Sequence, residues 1–295
     1  MNARPPTKNL ALTLAYGYDW EQLRVFVVSL VKSGFQGDLV IFGAKLSRAT
    51  IQMLKQHGVV YKPVFLPLFR LRNVFLLPGW KPYKWLFTVL PSAKLRRFLA
   101  KYVFNIMCAR FAHFQHYLES HAGEYANVVV ADVRDVCFQR DPFADPLPGD
   151  LVSFLETMRI SESRANSKWV LQAFGPEQSH GLSDKIVSCA GVTLGKASAM
   201  LAYFNAMLAG LYKVGEMTPV AGVDQAVHNR IFHDQQIPGA VLLANGNPWC
   251  MTMGPGVEYV LDAEDHVLAG TTPIAVLHQF DRYPDLKTRV YQKYV

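Results

Sequence analysis

Tyr125-Ala126-Asn127-Val128-Val129-Val130-Ala131-Asp132-Val133-Arg134-Asp135 decides how this chain folds. Seven residues without a charge, dense in valine, form a strand apolar enough to be buried on both faces. A strand of that kind belongs in the middle of a parallel sheet, and it delivers Asp132 at its C-terminal end. Asp132 and Asp135 then follow with only Val133 and Arg134 between them, where a sharp turn can aim both carboxylates at one point. Carboxylate oxygens at a strand end suit Mn²⁺ or Mg²⁺, which also takes phosphate oxygens. The competing reading is structural: Asp132 caps the next turn while Asp135 pairs with Arg134 or Arg140.

Upstream of this strand the pattern is β-α-β. Residues 9–16 are an apolar strand ending in the turn Tyr16-Gly17-Tyr18-Asp19, with Asp19 placed to cap a helix over Trp20 to Lys32. Strands at 39–42 and 59–61 enclose a second helix at 47–57. This alternation predicts an α/β fold, Rossmann-like and doubly wound, with a mostly parallel sheet, helices on both faces and ligands at the strand C-termini. The rhythm stops over 62–98, a basic and aromatic excursion rich in proline. It suits a lid packed on the core, a groove for an acceptor, or peripheral contact with an anionic membrane. A helix is expected over 99–119, with Arg110 inside it.

Downstream, strands are expected at 151–155 and 186–195, helices at 197–211 and 223–232, and a last strand at 274–277 followed by His278. A polar, mobile loop is expected from Glu156 to Ser167. No repeat or linker divides the chain, so 1–295 reads as one domain.

Composition narrows the function classes. The 51% hydrophobic content excludes wholesale disorder, and the net charge of +7 favours polyanions such as nucleotide phosphates or anionic lipid. No zinc-finger or RNA-binding signature accompanies that charge, so nucleic acid is not an expected partner. The start of the chain does not read as a signal peptide and no apolar run reaches eighteen residues. A cytoplasmic protein, peripheral at most at the inner face of a membrane, is expected. Cys108, Cys137, Cys189 and Cys250 are widely spaced and read as reduced, buried thiols.

The stretch from Val128 through Gln139-Arg140-Asp141-Pro142-Phe143 resembles the acidic-motif strand of GT-A glycosyltransferases, including the tail "FQxDPF". Cys189-Ala190-Gly191-Val192 is similar to the "NAGV" strand of glycosyltransferase family eight, the family of glycogenins and bacterial lipopolysaccharide galactosyltransferases. Asp224-Gln225-Ala226-Val227-His228-Asn229 is similar to its "DQxxxN" helix start, and His278 stands where that family places a third metal ligand. These blocks span residues 9–285.

The resemblance implies a GT-A fold and a transferase that moves a hexosyl group from a nucleotide diphosphate sugar, a UDP-sugar, to a hydroxyl on a glycan or glycolipid, with retention of configuration. It implies Asp132, Asp135 and His278 as metal ligands. It implies donor contacts from Tyr16, Gly17, Arg110, Asp132, Arg134, Ala190 and Gly191, and catalytic contacts to the sugar from Asp224 and Gln225. Three departures stand out: Arg134 occupies the third position of the usual Asp-x-Asp motif, Cys189 replaces the Asn before "AGV", and the C-terminal "HFxGxxKPW" is absent. The alternatives are a silent sugar-nucleotide-binding protein and a sugar-phosphate nucleotidyltransferase. The latter normally has a glycine-rich basic loop after its first strand, which Ala15 to Asp19 does not supply.

Overall fold

The computed structural model describes residues 8–65, 87, 89–214 and 222–295. Most of the basic, aromatic excursion, including Trp80, Trp85, Arg70 and Lys84, lies outside those residues, as does the expected loop around Gly215 and Pro219.

Strand β1 (Lys8–Tyr16) pairs in parallel with β2 (Gly37–Ala44) on one side and β4 (Tyr125–Ala131) on the other. β3 (Val60–Pro63) adds to β2 in parallel. Beyond β4 come β7 (Ile186–Lys196), β6 (Leu151–Arg159) and β8 (Ala240–Leu243), in the order β3-β2-β1-β4-β7-β6-β8. β7 runs antiparallel to both neighbours, while β6 and β8 are parallel. The seven-stranded sheet is therefore mostly parallel.

Alternate residues of the central strands feed two cores, the expected outcome for strands covered on both faces. Ala11, Ala15, Ile41 and Val129 pack with Leu23, Phe26 and Val27 of helix α1 (Trp20–Lys32) and Leu54 of α2 (Arg48–Gln56). Leu10, Leu12, Phe42 and Val130 pack on the opposite face with Phe111 and Phe114 of α4 (Ile106–Ser120), Phe204 of α6 (Ala197–Lys213) and Val227 of α7 (Val223–His233). Asp19 caps α1 as its position predicts, accepting from the Gln22 backbone while the Gln22 side chain bonds the Asp19 N–H.

Two expectations change. The helix expected over 99–119 is two helices, α3 (Ala93–Val103) and α4, because Asn105 leaves helical geometry and caps α4 through Met107 N–H. The mobile loop expected over 156–167 is largely ordered. β6 continues to Arg159, and a helical stretch α5 (Arg164–Ser183), kinked at Gly175-Pro176, begins inside it, capped by Ser163 on Asn166 N–H. Polar composition alone does not distinguish an exposed strand end and a helix start from a loop.

A second, three-stranded sheet lies against the acidic turn. β5 (Val136–Phe138) pairs antiparallel with β10 (Val276–His278), which pairs in parallel with β9 (Cys250–Thr252). In this register His278 lies opposite Val136, the residue after Asp135, and Gln279 N–H bonds Asp135 O at 2.7 Å. The register alone carries a histidine 143 positions down the chain to the acidic motif.

Candidate active site

The site is built where β4 leaves the sheet. β4 pairs with β7 as far as Ala131 and Val192, and one further bond, Asp132 N–H to Gly191 O at 2.8 Å, ends the ladder. Asp132 and Asp135 then turn toward β10. One ligand atom from each of Asp132, Asp135 and His278 lies within 4.8 Å of the others.

The histidine is held for such a role. Its Nδ1 lies 3.3 Å from both Cys189 Sγ and Thr252 Oγ1, while its buried Nε2 has no hydrogen-bond partner among the described residues and stands 4.0 Å from Asp132 Oδ2. A buried nitrogen without a partner is costly, and a divalent cation between it and the two carboxylates would satisfy it. The donor set of one imidazole and two carboxylates suits Mn²⁺ or Mg²⁺. Burial raises the Asp135 carboxyl above its ordinary pKa, with His278 acting in the opposite direction and Asp132 reinforcing the rise.

Arg110 is the other anchor. It projects from the second turn of α4 and is buried, with Nη1 2.7 Å from Asp132 Oδ1 and Nη2 3.2 Å from Asp224 Oδ2. Burial works against its charge, yet the two carboxylates hold the guanidinium pKa above its usual value. The α4 face around it is aromatic, but its fork is fully turned to carboxylate rather than to solvent.

Arg134, half-exposed, lies 3.8 Å from Asp135 Oδ2 and 3.4 Å from Asp281 Oδ2. Asp281 therefore faces the acidic turn rather than pairing with Arg282 at the surface. Arg140 points away, to Asp145 and to the Pro248 and Pro273 carbonyls.

The sugar-facing groups expected from the sequence take other partners. Gly222, at φ +93° against the Trp169 ring, is the residue before α7, so Asp224 lies in the first turn, with Oδ1 accepting from Gly222 N–H at 3.1 Å. Gln225 accepts from Ala190 N–H at 2.9 Å and donates to Ser188 O at 2.5 Å. Asn229 accepts from Ser188 N–H at 2.8 Å and donates to Ser188 O at 3.1 Å. β4 has ended at this level, so the α7 side chains supply the hydrogen bonds that a neighbouring strand would make. His228 joins them, with Nε2 2.9 Å from Ser153 Oγ and 3.0 Å from Ser188 Oγ, and Nδ1 2.7 Å from Tyr203 Oη. Burial first, then Arg110, lowers the His228 pKa to about 3.

Gly191 lies against the His278 ring. A Cβ there would meet the His278 ring at 2.4 Å, so the missing side chain makes room for the imidazole. At the end of β1, Gly17 has φ +71° and the Lys45 ammonium lies 5.0 Å over the Tyr16 ring.

Glu156, expected in a loop, is a carboxylate at the edge of the site. It lies on β6, partly buried; burial raises its pKa while His278 and Arg282 oppose that rise, and its carboxyl interacts with Cys189. An acid five residues beyond the buried start of a strand was the available signal. Cys189 itself is buried and in no disulfide, as are the other three cysteines.

No protein-family model and no curated protein matches this sequence. Solved structures similar to it include galactosyltransferase LgtC in complex with donor and acceptor sugar analogues, at 15% identity over 91% of this chain and 86% of that one, with a TM-score of 0.44. An active-site mutant of LgtC is similar at 14% identity over 95% of each chain, with a TM-score of 0.47.

Proposed function

We propose that this chain, as one domain, is a metal-dependent GT-A glycosyltransferase that moves a hexosyl group from a nucleotide diphosphate sugar, a UDP-sugar, to a hydroxyl acceptor on a glycan or glycolipid. The observation that carries this reading is the convergence of Asp132, Asp135 and the unpartnered Nε2 of His278 at the C-terminal edge of a mostly parallel sheet. That is the edge at which such sheets bind ligands. Mn²⁺ or Mg²⁺ held by these three residues would supply Lewis-acid stabilisation of the leaving diphosphate.

The chain's own residues have distinct tasks. Arg110 fixes the orientation of Asp132 and leaves Asp132 Oδ2 free to face the metal. Arg134, poised between Asp135 and Asp281, adds positive charge where diphosphate oxygens would lie, as a guanidinium fork does well. Tyr16 and Gly17 hold the nucleoside at the end of β1. Asp224 places a negative charge near the sugar, where an oxocarbenium-like transition state develops positive charge. Gln225, with both amide atoms on the β7 backbone, serves by holding Ala190 and Gly191 in place. Retention of configuration is the outcome the family resemblance supports.

The test is a thermal-shift screen of nucleotide sugars with and without Mn²⁺, followed by hydrolysis assays on those that bind. A Mn²⁺-dependent rise in melting temperature with one sugar nucleotide, abolished in Asp135→Ala, is expected. If no sugar nucleotide is bound or hydrolysed with Mn²⁺ present, and Asp135→Ala behaves as the parent, the proposal fails.

A further inference from the structure

The distribution of charge along this chain is far more uneven than its net value. Residues 39–118 contain 13 of the 30 Lys and Arg and not one Asp or Glu; the other 215 residues hold the remaining 17 and all 23 acids. An acid-free stretch of this length concentrates positive charge in one part of a sequence whose remainder is net negative.

Helix α3 lies inside this stretch and is loosely held. Ala100 is its one fully buried residue. Leu95 and Phe98 are 42% and 55% exposed on its outer side, and Val89, just before it, is 47% exposed. Tyr102 continues the stripe one turn on, its ring edge-on to Phe98 at a centroid distance of 5.0 Å. Lys94, Arg96, Arg97 and Lys101 are the helix's charges, with no acid among them, and Lys94 is exposed. Arg97 turns inward to pair with Glu119 of α4.

Apolar side chains presented to water beside basic ones are the composition of a helix that lies in the interfacial plane of a bilayer. Nucleic acid would match the charge, but Leu95 and Phe98 would gain nothing against a phosphate backbone, whereas the headgroup and acyl boundary buries them. We propose that α3 docks this protein on an anionic lipid surface, with Leu95 and Phe98 entering the headgroup region and the exposed Lys94 facing anionic headgroups. α3 leads through Phe104-Asn105 into α4, whose second turn carries Arg110, so docking would hold the acidic site beside the membrane. The proposal stands whether or not the transferase reading does, since it concerns a different face and is read without any substrate.

The experiment is co-sedimentation of the full chain with phosphatidylcholine vesicles, with and without phosphatidylglycerol. Binding is expected only to the anionic vesicles and is expected to weaken with salt. Leu95→Ser/Phe98→Ser should weaken it by about tenfold or more, and Lys94→Glu by about tenfold, from the usual contributions of apolar burial and of single charges near an anionic surface. Should the double variant melt early, Lys94→Glu, a change at an exposed side chain, decides the matter. Equal binding to neutral and anionic vesicles, no binding at all, or full binding by Lys94→Glu would overturn the proposal. So would a preference for duplex RNA over vesicles, or a dimer that the serine substitutions dissolve.

Discussion

The acidic turn Asp132-Val133-Arg134-Asp135 and the start of α7, Asp224-Gln225 through Asn229, resemble each other as sequence: each is a short motif opened by an aspartate at the boundary of an element. In the structure they are opposites. The turn leaves capacity open, with the Asp132 side chain 33% exposed, Arg134 49% exposed and His278 Nε2 without a partner. The α7 motif leaves almost none. Asp224 is 6% exposed and bonded through both oxygens, while Gln225, His228 and Asn229 are occupied by β7, β6 and α6. On the proposed reading the turn receives the ligand, while α7 holds the strand against which it would lie. Arg110 joins them, with one arm of its fork on each.

Cutting that joint should have the largest effect. Arg110→Met leaves two carboxylates at the site without their buried cation, and loss of one partner of a buried pair costs about 3–5 kcal/mol. Urea unfolding should register that loss, with the metal response lost as well. Asp135→Asn strikes the turn alone. It should lower metal-dependent turnover of the donor by about 10³-fold, as expected for losing a metal ligand, while the melting temperature without metal does not fall, because burial already disfavours its charge. A simultaneous collapse of stability would erase the distinction between the two regions.

Asn229→Ala strikes α7 alone and should behave in the opposite way. It removes partners from the buried Ser188 N–H and C=O, at a cost of about 1–3 kcal/mol. Calorimetric titration with Mn²⁺ should give an affinity near that of the parent at temperatures where the variant is folded. Between pH 7 and pH 6 the response of His228 is smaller still. Burial lowers its folded pKa to about 3, so the native state holds it neutral while the unfolded chain takes up a proton near pH 6.5. Its contribution is complete above pH 6.5 and is lost progressively as the pH falls toward 3, by up to about 1.4 kcal/mol per pH unit. Unfolding curves at pH 7, 6 and 5 should show that slope together with a like contribution from His113, whose pKa burial also lowers to about 3, and His228→Asn should remove about half of it.

The sequence alone determined the parts that depend on local pattern. The valine run of β4, the Asp19 cap of α1 and the alternation of strand and helix follow from periodicity and turn chemistry, which act over a few residues. They place Asp132 at a strand end and Arg110 on a helix without knowledge of anything distant. His278 was legible as a strand-end histidine for the same reason.

Only the tertiary structure decided who meets whom. That Gln225 bonds the backbone of Ser188 and Ala190 depends on where β4 stops, and that Gly191 is glycine depends on the His278 ring 87 positions away. Glu156 became part of the site only once β6 ran to Arg159 and passed Cys189. Strand register and element length are settled by packing summed over the whole sheet, and a one-residue slip reverses which face each side chain takes. No short stretch of sequence contains that information, because the energy that selects it is distributed among residues that are neighbours only after folding.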